Sequence, residues 1–406
     1  MYNKIEIKED IYYVGVNDRT KSLFENMWPL PKGVSYNSYL VQDEKTALID
    51  TVDICYSDVF FRKIESVIGK NQIDYLIVNH MEPDHSGSIE MIVSKYPNIK
   101  IVGNKRTNDM LKGYYGISEN VIEIEDSNEI NLGRNTLKFY TTPMVHWPET
   151  MMTYVPEKNT LFSADAFGTF GSLDGGVLDS QLKPSRYWDE MIRYYSNIVG
   201  KFGSPVQTAL KKLSTLEIDV ICSTHGPVWT IKENIEKVVS LYDKLSRYDA
   251  DNGLVIVYGS MYGNTEELAE IIAAEAALNG VKDIVMHNVS KSHESDIIRD
   301  IFKYKGLIIG SPTYNNKLFP LIDSLVSSLK NKNLKNRLFG CFGSFTWSDA
   351  SAKHFKQFAE DMDFELISEP VILKQGMLND VKEQAKALGR LMGKELTINP
   401  EFISNK

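Results

Sequence analysis

The chain has 406 residues, 43% of them hydrophobic and 24% charged, a length that calls for two domains each able to bury its own core. A formal net charge of -9 without any Lys/Arg cluster argues against nucleic acid as a partner. No apolar run approaches membrane-spanning length and the opening "MYNKIEIKED" lacks the apolar stretch of a signal peptide, so no membrane partner and a cytoplasmic location are expected.

Residues 1 to about 245 hold many short β-rich runs, among them "NSYLV", "TALID", "DYLIVN", "TLKFYTT", "TLFSA" and "DVICS", several bounded by turn residues. Cys55, Cys222 and Cys341 lie far apart without CxxC spacing and are expected to be small buried hydrophobes in a reducing compartment. Without a CxxC pair the chain carries no rubredoxin-type iron, so any mobile electron donor must be a separate molecule.

The polar stretch "SRYDADNG", residues 246 to 253, marks the boundary and gives domains 1–248 and 249–406. Beyond it the rhythm changes. The buried-strand run "LVIVYGS" leads into "NTEELAEIIAAEAALNG", a helix with apolar i, i+3, i+4 spacing that Gly280 terminates. Strand and helix then alternate through "SEPVIL" and "VKEQAKALGRLM". Five such strands predict a doubly wound parallel sheet.

Chemistry concentrates at strand ends. "HMEPDHSGS" (His80–Ser88) follows the strand "DYLIVN"; His146, Asp165 and His225 follow three further strands. Seven candidate metal ligands result: His80, Glu82, Asp84, His85, His146, Asp165 and His225. The first half holds four of the seven histidines, and all four stand at these strand ends, which core-filling or surface histidines have no reason to do. Four imidazoles and three carboxylates suit iron better than zinc, and seven donors suit two metals sharing a bridge. The division expected is His80, Glu82 and His146 on one iron, Asp84, His85 and His225 on the other, and Asp165 between them.

In the second half "GSMYGNT" joins the first strand to the first helix. It lacks GK[ST] and GxGxxG, but offers Ser260, Asn264 and Thr265 with backbone N–H groups at a helix N-terminus, a cradle for one phosphate. Two later loops, "SPTYNN" and "GSFTWSD", each present an aromatic residue, Tyr314 and Trp347, at strand carboxyl ends. The candidate cofactor residues are Ser260, Met261, Tyr262, Gly263, Asn264, Thr265, Pro312, Thr313, Tyr314, Asn315, Ser344, Phe345, Thr346 and Trp347.

The donor pattern resembles the metallo-β-lactamase superfamily, with Glu82 where its hydrolases carry the second histidine of HxHxDH, and the three loops resemble flavodoxin. Together, over essentially the whole chain, they resemble the flavodiiron proteins, also called A-type flavoproteins. The resemblance implies a fold both α/β and α+β, a metallo-β-lactamase-like αββα sandwich followed by a flavodoxin-like doubly wound parallel sheet. It implies FMN and a non-haem diiron centre, and reduction of dioxygen to water, of nitric oxide to nitrous oxide, or of both. It implies the minimal two-domain class, supplied with electrons by rubredoxin or a reduced deazaflavin and assembled as a head-to-tail homodimer or a tetramer. One departure is that Thr346 and Ser348 flank Trp347 where the family commonly has glycines. Tyr194 is a candidate catalytic residue, and Trp147 a pocket or interface residue. The alternative reading is a zinc hydrolase of the lactamase-like fold with a flavodoxin domain as redox sensor; a non-catalytic electron carrier would not need all seven donors.

Overall fold

The apolar runs of the first half become two mixed sheets. The larger orders its strands Ile5–Lys8, Ile11–Tyr13, Tyr39–Gln42, Thr46–Ile49, Tyr75–Ile77, Lys100–Gly103 and Val121–Glu123, and the last four pair in parallel. Parallel strands are covered on both faces, and Leu48, Ile49, Leu76 and Ile77 are fully buried. The smaller orders Glu129–Asn131, Thr136–Thr141, Met151–Val155, Thr160–Phe162 and Val220–Cys222, antiparallel except for its final pair. These elements come from a computed structural model that describes residues 3–397 and divides into two compact units between Ser246 and Arg247.

Backbone bonds tie the loop after Tyr75–Ile77 to the start of Met151–Val155, and the loops after Thr160–Phe162 and Val220–Cys222 to each other. The Met151 N–H donates to the Asn79 carbonyl at 3.0 Å, and the Thr224 N–H to that of Ala164 at 3.0 Å. Gly226 follows His225 at φ +75°, and a Cβ there would strike the side chain of Thr169, so glycine is required on two counts. That fixes the direction in which His225 leaves its strand.

The second unit is a six-stranded parallel sheet. Its order is Ile284–Asn288, Asp251–Tyr258, Tyr304–Pro312, Leu338–Phe345 and Glu365–Leu366, with Val371–Lys374 also pairing Leu338–Phe345. The central run Leu254–Val257 is wholly buried, as a strand between two helical layers must be. The sequence pattern predicts five strands; the sixth, Glu365–Leu366, is two residues long and too short to show a period. The order runs outward in both directions from Asp251–Tyr258, which places the loops after the first, third and fourth strands along one edge.

Cys222 and Cys341 are buried as expected, whereas Cys55 is exposed. It lies in the short turn Ile54–Tyr56 that leads into the helix Ser57–Ile68 at the surface, with its N–H donated to Asp53. Among the described residues no helix is long and apolar enough to cross a membrane.

Candidate functional site

The structure gathers all seven strand-end donors into two groups. His80, Glu82, His146 and Asp165 form one, and Asp84, His85 and His225 the other, all seven buried. Asp165 faces both. Its Oδ2 lies 2.9 Å from His146 Nε2 and 3.5 Å from His80 Nε2, while its Oδ1 lies 3.1 Å from His85 Nε2 and 3.6 Å from His225 Nε2. Glu82 Oε2 is 3.3 Å from His80 Nε2 and 3.1 Å from His146 Nε2; Asp84 Oδ2 is 3.2 Å from His85 Nε2 and 3.4 Å from His225 Nε2. Ligands held about 2.1 Å from one first-row ion stand about 3.0 to 3.4 Å from each other, so these spacings fit a metal in each group.

Hydrogen bonding supports the same fit. His80 Nδ1 donates to Glu149 Oε1 at 2.8 Å and His225 Nδ1 to the Ser35 carbonyl at 2.7 Å, so both Nε2 lone pairs point inward. Glu149 is itself held by the Met81 N–H at 2.9 Å, and Thr224 Oγ1 donates to Asp165 Oδ1. Both oxygens of Asp84 are buried without a hydrogen bond, although Oδ2 lies within ion-pair distance of two imidazoles, and His85 Nδ1 has no partner either. Asp84 is therefore no helix cap in the turn Pro83–Ser86; it is an acceptor awaiting a cation.

Electrostatics point the same way. Burial pulls the imidazole of His85 down, but Asp84 and Asp165 outweigh it and push it up to about 10; His146 is pushed up to about 9 by Asp165 and Glu82 against the same burial. His80 is raised well above its ordinary value, with burial opposing and Asp165 and Glu149 prevailing, while burial and His85 lower His225. Despite burial, the histidines hold Glu82 and Asp165 below the usual carboxylate range. The cluster demands positive charge, and protons on histidine meet that demand when no metal does.

Around the donors, the Trp147 ring stands 5.3 Å from that of His80. Tyr194 is fully buried with its ring 5.3 Å from that of His225, and its hydroxyl has no hydrogen-bond partner. A 210 Å³ opening lined by Lys21, Phe24, Glu25, Asp53, Glu82, Pro83 and Asp84 touches one carboxylate from each donor group. Sequence reasoning missed Glu25. Burial and the neighbouring Glu82 raise its carboxyl, and no local motif marks a residue so distant in sequence from the donors it meets.

In the second unit a 410 Å³ cavity is lined by Ser260, Met261, Tyr262, Asn264, Thr265, Pro312, Thr313, Asn315, Ser344, Phe345, Thr346 and Trp347, twelve of the fourteen expected residues. Gly263 and Tyr314 do not line it. Gly263 supplies the left-handed turn (φ +97°) that starts the helix Asn264–Leu278, and the Tyr314 ring meets that of Phe319 edge-on at 6.4 Å. Asn316, Ser348 and Gln375 line it in addition. Gln375 belongs to a fourth loop, where its carbonyl accepts from Asn264 Nδ2 at 3.2 Å and its N–H donates to the Phe345 carbonyl at 2.8 Å. The cavity has the size of a small-cofactor pocket, and its rim holds Trp347, 88% exposed, as a free stacking face beside a helix N-terminus.

Residues 34–226 match the family described as ODP family beta lactamase, and residues 256–388 match Flavodoxin. The anaerobic nitric oxide reductase flavorubredoxin of Aliivibrio fischeri is 32% identical over 373 residues, covering 89% of this chain and 73% of that protein. Among solved structures, rubredoxin oxygen:oxidoreductase of Desulfovibrio gigas superposes with a TM-score of 0.93 at 28% identity, covering 97% of this chain and 98% of that one. The flavodiiron protein of Giardia intestinalis gives 0.93 at 26% identity, covering 98% and 97%.

Proposed function

The chain belongs to the flavodiiron proteins and is an oxidoreductase with FMN and a diiron centre as cofactors, and from that premise we propose that it reduces dioxygen to water, nitric oxide to nitrous oxide, or both. One observation carries the reading: the two oxygens of Asp165 face separate donor groups, which suits a carboxylate bridge between two metals rather than a single-metal hydrolytic site. Glu82 in place of an imidazole weighs against the zinc hydrolase, because it puts a hard oxygen donor where zinc would favour nitrogen.

In this reading His80, Glu82 and His146 hold one iron and Asp84, His85 and His225 the other. The irons supply open coordination positions and the flavin supplies electrons drawn from a separate donor, rubredoxin or a reduced deazaflavin. The protein's own share is positional. Glu149 and the Ser35 carbonyl fix the rings of His80 and His225, and Thr224 steadies the bridge. Tyr194 and Phe24, packed on His225, keep that side of the centre dry. Ser260, Asn264 and Thr265 cradle the FMN phosphate while Trp347 stacks on its ring. A head-to-tail homodimer, each subunit's flavin meeting the other's irons, completes the proposal.

The test is consumption of nitric oxide under anaerobic conditions, then of dioxygen, by one iron- and FMN-loaded preparation reduced through an artificial donor. Turnover of either gas supports the reading and selects the substrate. Turnover of neither, with zinc found in the metal analysis, overturns it.

A further inference from the structure

The metal donors are buried, so an incoming ion must pass a face on which some of them meet solvent. The opening lined by Lys21, Glu25, Asp53, Glu82 and Asp84 is such a face, since it presents a ligand of each group. Its walls carry four carboxylates against one ammonium, and the Lys21 Nζ is already engaged by Asp53 at 2.7 Å and by the Tyr36 hydroxyl at 3.1 Å. Asp84, only 8% exposed, lines this opening with neither oxygen hydrogen-bonded, its Oδ2 facing His85 and His225.

Glu25 has a placement that ordinary turn chemistry does not explain. It tops the hairpin between Leu23–Phe24 and Trp28–Pro29, closed by the Met27 N–H donating to the Phe24 carbonyl at 2.9 Å. Its backbone is left-handed, φ +47°, as is that of Asn26 at +58°. Asparagine and glycine are at home in such a turn and glutamate is not. The left-handed backbone sets Glu25 on the wall of the same opening as Glu82, while Trp28 Nε1 donates to its Oε2 at 2.9 Å and fixes the orientation. Carboxylates gathered on the wall of one opening form an arrangement that a divalent cation relieves.

We propose that Glu25 is the capture ligand of the diiron centre: a solvent-facing carboxylate that takes a divalent first-row metal ion from solution and passes it to Glu82 and on to the buried donors. It is needed while the centre fills and not afterwards. The inference rests on the paired-metal reading above, which fails separately if the wild-type chain does not bind two ions.

The experiment uses the full chain with FMN bound and metal removed, mixed anaerobically with cobalt(II) in a stopped-flow instrument while the visible absorption of bound cobalt is followed. Glu25→Gln is expected to slow uptake at least about fivefold at low ionic strength. Both ions are still bound at the end, and Glu25→Asp recovers part of the rate. Equal rates for wild type and Glu25→Gln overturn the proposal, as does a Glu25→Gln chain that binds fewer ions at equilibrium, which would make Glu25 a permanent ligand. If Glu25→Gln fails to fold by circular dichroism, Lys21→Gln reads the same field with opposite sign: faster uptake supports the proposal and an unchanged rate overturns it.

Discussion

Glu149 accepts the Nδ1 proton of His80 at 2.8 Å, on the side of the ring opposite the donor cluster. This contact chooses the tautomer that leaves Nε2 free to bind a metal, and such partners are commonly worth about 10- to 100-fold in metal affinity. Glu149→Leu is expected to lose affinity for the first ion by about that factor. Glu149→Gln, which retains an acceptor for both the His80 ring and the Met81 N–H, is expected to lose much less. Competition with a metal indicator under anaerobic conditions separates the two, and equal losses would show that charge matters rather than orientation.

Metal loading should expel protons. In the metal-free chain, despite burial, Asp84 and Asp165 push His85 up to about 10 and Asp165 and Glu82 push His146 up to about 9, so at about pH 7.5 both carry protons that bound ions must displace, and Asp165 and Glu149 raise His80 in the same direction. Calorimetry in buffers of different ionisation enthalpy is expected to show about two or more protons released per chain. The same shifts set the pH dependence of the metal-free fold. Folded values lie above the unfolded value of about 6.5, so the stabilisation is complete below about pH 6.5 and is lost as pH rises through about 9 to 10. Thermal unfolding of the stripped chain should therefore fall in temperature over that interval, and the loaded chain should not follow it.

The flavin pocket makes a prediction from exposure. Trp347 is 88% exposed before any ring covers it, so FMN binding is expected to quench its fluorescence. Trp347→Ala removes the stacking face, worth about 1 to 3 kcal/mol for an aromatic on a planar ring, and should raise the FMN dissociation constant about 5- to 150-fold. Titration of apoprotein with FMN, read by flavin fluorescence, checks both. An unchanged constant would move Trp347 out of the cofactor site.

What the sequence made legible follows from how far each signal reaches. Strand runs such as "LVIVYGS" and "DYLIVN" show themselves because burial on both faces demands continuous apolar residues, and donors at their ends inherit a known direction. His80, His146, Asp165 and His225 could therefore be grouped without knowledge of their distances. Gln375 and Glu25 could not. Both have a left-handed backbone, φ +64° and +47°; Gln375 meets Asn264 and Phe345 through its main chain and Glu25 shares an opening with Glu82, all partners distant in sequence. Tyr314 shows the converse limit: its loop lies where topology predicts, and its ring meets that of Phe319 edge-on. A loop's position is set by topology, whereas the direction of one ring within it is set by local packing.

Tyr194 offers a test in which stability and activity should part company. Its ring packs on Phe170 at 5.0 Å and on His225 at 5.3 Å, yet its hydroxyl is buried with no partner and its ionisation is pushed well up by burial and by Asp165. An orphaned buried hydroxyl costs about 1 to 3 kcal/mol, so Tyr194→Phe should leave thermal stability unchanged or raise it by a few degrees. A hydroxyl kept at that cost beside the metal ligands has a use when substrate is present. Turnover of the loaded enzyme is accordingly expected to fall about tenfold, with kcat affected more than KM, because the group would meet the reacting atoms rather than bind the resting substrate. A variant as active as wild type and more stable would show Tyr194 to be packing alone; one less stable and less active would show that its hydroxyl holds the structure together through a contact formed only when the site is filled.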